Sequence, residues 1–496
     1  MYNQPNMKPY VMVQALLLVA VTVLSGFFNP SKAQKVEWVS TTATSKWQTE
    51  QAPVFQKTTT ADVVIHTDKP LQTMEGFGAC FNELGWTSLN TLSAADKKQI
   101  FSELFSPGKG ANFSIFRMPL GANDFSLKWY SYNETDGDFA MQHFSIANDM
   151  HTLVPFIKSA LNYNPKLKLW ASPWSPPTWM KYNKHYAGAA FPKGGATSWR
   201  DLRFNFAGLD NGIEPGQTGK AGTDMFIQEP AYFKAYARYF SKFIEAYREQ
   251  GIRIGMVMPQ NEFNSPQTFP SATWTAKGLS SFVSYLGPEM DKLGVKIFMG
   301  TMEKGNSKLV DSVLNSAESG KYIKGAGFQW DGKLAISAIH AERPNLTLYQ
   351  TEHECGNGLN DWAYAKYSWT LLKHYLSNGV TAYQYWNISL PEGGKSTWGW
   401  YQNSLITVNE AAKTYTWNNE YYLMKHFSHY LQPGAVYLKG SPEEKNVIAF
   451  RNPDKSIAVV VYNNNAADKV IRIQLGDQTI APLFKAESFN TLLIKQ

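Results

Sequence analysis

Eight short apolar runs, separated by amphipathic helical stretches, constrain this chain more than any other feature. They occupy residues 76–81, 113–118, 167–172, 254–259, 296–299, 325–330, 346–351 and 381–386. Strand-length runs that alternate with helices pair in parallel, because each intervening helix carries the chain back across the sheet. Eight of them predict an α/β fold closed into a (β/α)8 barrel. Helices are expected where such a barrel needs them. Ser93 reads as an N-cap with Asp96 three residues on, opening a helix over 94–105, and Phe233, Tyr236, Ala237, Phe240 and Ile244 recur at helical spacing within 229–249. Both ends of the mature chain have a different texture. Residues 35–65 are rich in Thr, Val and Trp without helical periodicity, and residues 436–494 repeat this in runs such as Ile457-Ala458-Val459-Val460-Val461-Tyr462, so both read as strands. The Gly- and Lys-rich stretch 182–224 reads as a long loop at the C-terminal mouth of the barrel.

Composition excludes several alternatives. With 44% hydrophobic and 18% charged residues among 496, the chain is neither disordered nor an integral membrane protein. The net charge of +7 comes from scattered basic residues, which does not suit nucleic acid. Only two cysteines occur, with no Cys-x-x-Cys. Cys80 and Cys355 fall near the ends of the first and seventh strands, which are not neighbours in a closed barrel of eight, so no disulfide is expected between them. At the N-terminus, Lys8 precedes an uncharged apolar stretch over 11–28, followed by Ser31-Lys32-Ala33. This reads as a secretion signal over residues 1–33, with a single membrane anchor as the alternative. A secreted, periplasmic or cell-surface destination follows, with no stable membrane insertion once the signal is removed.

The chemistry lies at strand ends. Met256-Val257-Met258-Pro259-Gln260-Asn261-Glu262 is an apolar run leading into an Asn-Glu pair, and Leu348-Tyr349-Gln350-Thr351-Glu352 is another ending in a carboxylate. A barrel brings the C-terminal ends of its strands to one mouth, so two glutamates 352 − 262 = 90 positions apart can face each other. Opposed carboxylates are the machinery of glycoside hydrolysis; a pair of salt-bridged surface glutamates is the alternative. Trp170, Trp174, Trp179, Trp330, Trp386, Trp398 and Trp400 fall at or just beyond strand ends. Flat rings there can stack on pyranose faces, although each tryptophan taken singly is more often core than ligand platform.

Longer motifs then carry a resemblance. Glu75-Gly76-Phe77-Gly78-Ala79-Cys80-Phe81, Arg117-Met118-Pro119, Asn123-Asp124-Phe125-Ser126 and Ala171-Ser172-Pro173-Trp174-Ser175-Pro176-Pro177-Thr178-Trp179-Met180-Lys181 resemble glycoside hydrolase family 30, the family of glucosylceramidases and endo-β-1,6-glucanases. So do Gln260-Asn261-Glu262, Thr351-Glu352, Tyr385-Trp386-Asn387, Pro391-Glu392-Gly393-Gly394 and Lys425-His426-Phe427-Ser428. The resemblance implies a TIM barrel with a β-sandwich built from both chain ends. The resulting division is a signal peptide over 1–33, N-terminal sandwich strands over 34–74, a catalytic barrel over 75–432 and C-terminal sandwich strands over 433–496. It also implies a retaining mechanism, with Glu262 as acid/base, Glu352 as nucleophile, and their carboxyl groups about 5 Å apart. Asn261 would hold the 2-hydroxyl of the attacked sugar. Asp124, Trp174 and Trp386 would line the sugar site, Arg117 would support the carboxylates, and Trp330 and Trp398 would contact substrate.

Rivals remain at three points. Glu354 is only two residues from Glu352, and an unbroken strand would point both the same way. His353 invites a metal, but no second histidine stands at ligand spacing and no His-Glu-x-x-His occurs, so neither metal nor cofactor is expected. Two departures from the family pattern bear on substrate. Phe263 stands where many members have proline, and Gln329-Trp330-Asp331 stands where glucosylceramidase-like chains carry His-Trp-Tyr. The runs around 327–330, 354–358 and 396–400 look more like the family's β-1,6-glucanases. A β-1,6-glucan, cut internally or near its ends, is therefore the expected partner, with a glucosylceramidase-like, β-glucosidase or β-xylosidase exo-hydrolase as the alternative. A catalytically inert secreted glycan-binding protein is the non-enzymatic one. Oligomeric state is not legible.

Overall fold

The computed structural model describes residue 1 and residues 35–57, 60–192, 197–199, 202–204, 208–442 and 445–495. The signal-peptide reading of residues 1–33 therefore lies, apart from Met1, outside the described residues. Among the described residues no helix is long and apolar enough to cross a membrane.

Eight parallel strands form the barrel: β1 (Gly76–Cys80), β2 (Ile115–Pro119), β3 (Lys168–Ser172), β4 (Met256–Val257), β5 (Lys296–Met302), β6 (Ile323–Gln329), β7 (Thr347–Glu352) and β8 (Val380–Pro391). They neighbour one another in chain order, and β8 closes the ring by pairing with both β7 and β1. Each expected run overlaps a barrel strand, with three marked differences in length, the first being that β5 runs three residues beyond the expected end at Met299. β4 pairs over only two residues, because Pro259 has no N–H to continue the ladder. β8 runs five residues beyond the expected end at Trp386, where Ser404–Asn409 pairs in parallel with its extension.

The barrel is filled from below. Ile115, Trp170, Met256, Met258, Phe298, Tyr349 and Ala382 pack as one apolar cluster inside it. A Cβ on Gly327 would fall 2.5 Å from the Thr351 methyl and 2.7 Å from the Met258 thioether, so only glycine lets those side chains fill the axis. Because side chains alternate along a strand, Arg117 follows Ile115 on the inner face and lies over the Trp170 ring, with the guanidinium carbon 5.0 Å from its centroid. The apolar layer thus becomes the floor of a polar one.

Outside the ring, Ala94–Phe105 is capped by the Ser93 side chain, which accepts from the Asp96 N–H. Pro230–Glu249 buries Phe233, Tyr236, Ala237, Phe240 and Ile244. Phe233, Tyr236 and Phe240 meet Phe282 of the neighbouring helix Ala276–Leu293.

The two chain ends build a separate nine-stranded sheet. Lys35–Thr41 pairs with Ser488–Lys495, and Val63–Thr73 inserts between Val436–Ser441 and Ile473–Leu475. Within Ile457–Asn463, Val459 and Val461 pack into the sandwich with Val36, Trp38, Val63 and Leu492, while Ala458, Val460 and Tyr462 join the barrel's outer core. The period of two accounts for the continuous apolar run, since both faces of this strand are buried. At the junction, the Thr491 hydroxyl donates to the His426 carbonyl, so it accepts from His426 Nδ1–H, and Nε2 accepts from the Thr41 hydroxyl. Burial pushes the His426 pKa down to about 3, which keeps the ring neutral. Cys80 and Cys355 are both buried free thiols.

Candidate active site

Arg117, fully buried in the middle of β2, organises the mouth. Its Nη1 donates to Glu352 Oε2 at 2.8 Å, its Nη2 to Asn261 Oδ1 at 2.7 Å and to Ser172 Oγ at 2.9 Å. Trp174 lies 4.2 Å and Trp386 5.3 Å from the guanidinium carbon. A planar, permanently charged group is required here, because it satisfies two strand ends while stacking on aromatic faces.

Gln329, at the end of β6, joins the two glutamates. Its Nε2 lies 3.1 Å from Glu262 Oε1, 3.1 Å from Glu352 Oε2 and 3.2 Å from Asn261 Oδ1. A shared donor means that these two carboxylate oxygens are no further apart than two such bonds. One amide reaching both carboxylates keeps them close, as a retaining pair requires. Asn261 Oδ1 also accepts from Thr301 Oγ1 at 2.9 Å, so its donors fix which end of the amide is oxygen and leave the NH2 for another partner. Glu262 has φ 48° and Trp330 φ 48°, a backbone region that side-chain-bearing residues seldom occupy. Such strain collects where function dictates the position of a side chain.

The two carboxylates differ in environment. Glu352 accepts from Arg117, from Gln329 and from Trp330 Nε1 at 3.1 Å. Burial raises its pKa, while the Arg117 charge and these hydrogen bonds oppose the rise. Glu262 has no cation, and its buried Oε2 has no hydrogen-bond partner. Burial foremost, then the charges of Glu352, Glu303 and Asp124, push its pKa well above the usual carboxylate range. The shared field therefore favours a proton on Glu262 and a charge on Glu352.

Aromatic walls stand on one side. Trp174 and Trp386 are buried with ring centroids 5.4 Å apart. Asp124 is buried beside them, and its Oδ1 and the Trp386 Nε1 lack hydrogen-bond partners. Burial first, then the Glu352 charge, raises the Asp124 pKa well above the ordinary range. Half-buried Trp398 donates to the Asn123 carbonyl at 3.1 Å, and its ring centroid is 5.1 Å from that of Trp129. Two other tryptophans are core: Trp170 lies beneath Arg117, and Trp179 packs against Phe139 and Tyr232. The long loop after β3 reaches this region, where Leu202–Phe204 pairs with Trp400–Tyr401. Lys181 anchors that loop through bonds to the carbonyls of His185, Tyr186 and Ser271.

The rivals to Glu352 have other partners. Glu354 accepts from Lys333 Nζ at 2.6 Å and from the Tyr367 hydroxyl at 2.8 Å. His353 turns outward between the Tyr383 hydroxyl at 2.6 Å and the Ser368 hydroxyl at 2.9 Å, and burial lowers its pKa to about 3. Among the described residues no cluster of His, Cys, Asp or Glu could hold a metal ion. Sequence reasoning treated Gln329 only as a departure from a family pattern and passed over Ser172, Thr301 and Glu303. Ser172 carried a signal, since it follows the inward-facing Trp170 by two residues, but Thr301 did not, because Phe298 faces inward and a register shift between Met299 and Met302 is needed to turn Thr301 to the inside.

The fold agrees with comparisons to known proteins. Residues 74–201 and 216–431 match the Glycosyl hydrolase family 30 TIM-barrel domain, and residues 434–492 match the Glycosyl hydrolase family 30 beta sandwich domain. The chain is 29% identical over 435 residues to putative glucosylceramidase 1 of Caenorhabditis elegans, covering 82% of this chain and 77% of that protein. It is 27% identical over 439 residues to the endo-1,6-beta-D-glucanase neg1 of Aspergillus fumigatus, covering 82% and 81%. The solved structure of the endo-beta1,6-glucanase BT3312 superposes with a TM-score of 0.75 at 23% identity, covering 93% of this chain and all of that one. With both of its domains matched, the chain belongs to glycosyl hydrolase family 30 and is a glycosidase.

Proposed function

We propose that the protein is a secreted retaining hydrolase of β-glucosidic bonds that acts on β-1,6-linked glucan. The observation that supports the mechanism is the single Gln329 amide that reaches both Glu262 and Glu352, which fits the close carboxyl pair of a retaining enzyme. Glu352, held ionised by Arg117, is the nucleophile. Its attack gives a glycosyl-enzyme ester, while Glu262 delivers its proton to the departing oxygen. Glu262, now a carboxylate, then takes a proton from water, and that water cleaves the ester and restores both groups. The free NH2 of Asn261 meets the 2-hydroxyl of the sugar, a contact that strengthens as the oxocarbenium-like transition state forms. Asp124 and Trp386 Nε1 offer an acceptor and a donor to further hydroxyls, with the Trp174 and Trp386 rings as apolar walls.

Two features support the linkage. Similarity to a fungal endo-1,6-glucanase extends over most of the chain, and Gln329-Trp330-Asp331 departs from the His-Trp-Tyr run of glucosylceramidase-like sequences. Secretion is supported by the apolar segment and the Ser31-Lys32-Ala33 site. Incubation with linear β-1,6-glucan, with the anomer of the first-formed product followed by proton NMR, tests both parts. The β-anomer is expected first. An α-anomer would sink the mechanism, and an untouched glucan alongside cleaved glucosylceramide or β-xyloside would sink the substrate.

A further inference from the structure

The two glutamates divide the rim of the barrel into unequal arcs. Asp124, Trp174 and Trp386 belong to the longer arc, which runs from β8 through β1 and β2 to β3. Only β5 and β6 lie on the other. A sugar seated against the tryptophans turns its glycosidic oxygen to the acid, Glu262, and since Trp174 follows β3, the neighbour of β4 that faces away from the tryptophans is β5.

At the end of β5, Thr301 points inward, accepting the Glu262 N–H at 3.0 Å and donating to Asn261 Oδ1. Glu303 follows just past the strand end, close enough to Glu262 for its charge to act on that carboxyl. Asn264 holds it there by accepting the N–H groups of Glu303 and Lys304 at 3.2 and 3.3 Å and donating to the Lys304 carbonyl at 2.8 Å. The Glu303 carboxylate lies near the Ser265 hydroxyl and the Lys304 charge, but its Oε2 is buried without a hydrogen-bond partner. The adjacent Glu262 Oε2 is in the same condition. A buried carboxylate oxygen without a donor is costly, and an apolar aglycone would leave it so.

Resting on the glycosidase reading above, we propose that Glu303 forms the leaving-group subsite: its Oε2 accepts a hydroxyl of the sugar beyond the scissile bond. The site thereby selects a sugar over an apolar alcohol as leaving group. The test compares, at a pH below the alkaline limb of both wild type and variant, kcat/KM on a β-1,6-linked glucotriose with kcat/KM on 4-nitrophenyl β-glucoside, whose leaving group has no hydroxyl to offer Glu303. Glu303→Gln should lose about 10- to 100-fold more on the glucotriose than on the aryl glucoside, the range for a hydrogen bond to a charged group. Equal losses on the two substrates, or an unchanged glucotriose rate, would overturn the proposal. Should E303Q fail to fold, Glu303→Asp keeps the charge but withdraws it by one methylene, and the same ratio is read. A wild-type enzyme that cleaves a β-1,3- or β-1,4-linked glucotriose instead breaks the linkage claim alone, and the ratio is then measured on that sugar. One that cleaves the aryl glucoside and no oligosaccharide overturns the Glu303 subsite, and one that cleaves neither overturns both.

Discussion

Asn463 in the sandwich and Glu262 at the barrel rim are both buried polar side chains, and they are treated in opposite ways. Asn463 donates to the carbonyls of Ala467, Phe484 and Lys485 and accepts from the Asn465 backbone. Glu262 keeps one oxygen without a partner, as do Asp124 and Glu303 around it. Within 434–495, only the Thr479 hydroxyl is left in that state among the described residues. One region is built to be complete in itself, and the other stays incomplete until a hydroxyl-rich ligand arrives. Packing in the first makes the deficit in the second tolerable.

Substitutions can break or sharpen that contrast. Glu352→Gln should reduce turnover of every substrate by more than about 10⁴-fold, as loss of a nucleophile does, with the melting temperature little changed or raised. A residual rate on aryl glucosides above that bound would remove Glu352 from its role. Glu262→Gln should cost about 10²- to 10⁴-fold on glucan but far less in the first step with a 2,4-dinitrophenyl glucoside, which needs little protonation. Equal losses on both would argue against an acid at this position. In the sandwich, Leu492→Ala should lower stability by about 2–5 kcal/mol and leave kcat/KM of the folded protein unchanged. A fall in kcat/KM there would mean that the two regions are not separable.

The smallest effect is on pH dependence. The first step needs a protonated Glu262, so kcat/KM should fall as pH rises through its elevated pKa. Removing the like charge in Glu303→Gln lowers that pKa and moves the alkaline limb to lower pH, while Leu492→Ala leaves the limb in place. An unmoved limb in E303Q would show that the Glu303 charge does not reach Glu262.

The barrel was legible because its signal is periodic: each strand buries both faces, and short apolar runs announce it. The glutamates were legible because they end such runs. Gln329 was not, since a glutamine at a strand end looks the same whether it caps a turn or bridges two carboxylates, and only the closure of the ring brings β4, β6 and β7 around one amide. Neither strand periodicity nor spacing separated Glu352 from Glu354. Lys333 did so, by drawing Glu354 into an ion pair. Among the tryptophans, sequence placed Trp179 with the others, although the partners that claim it, Phe139 and Tyr232, come from segments far away along the chain.

The pairing of Lys35–Thr41 with Ser488–Lys495 governs the order in which the molecule can be assembled. Lys35 stands opposite Lys495, and Ser488–Lys495 lies between the first strand and Ile457–Asn463. A ribosome has therefore released the whole barrel before the strand that seats the N-terminal segment exists. Until then Val36 and Trp38 have no partner to cover them. Contacts of such high sequence separation carry the largest loop-closure entropy and form slowly. The same adjacency makes the chain nearly circular, so a short linker from residue 495 to residue 35, with new termini opened in an exposed loop, would convert this last closure into a local hairpin.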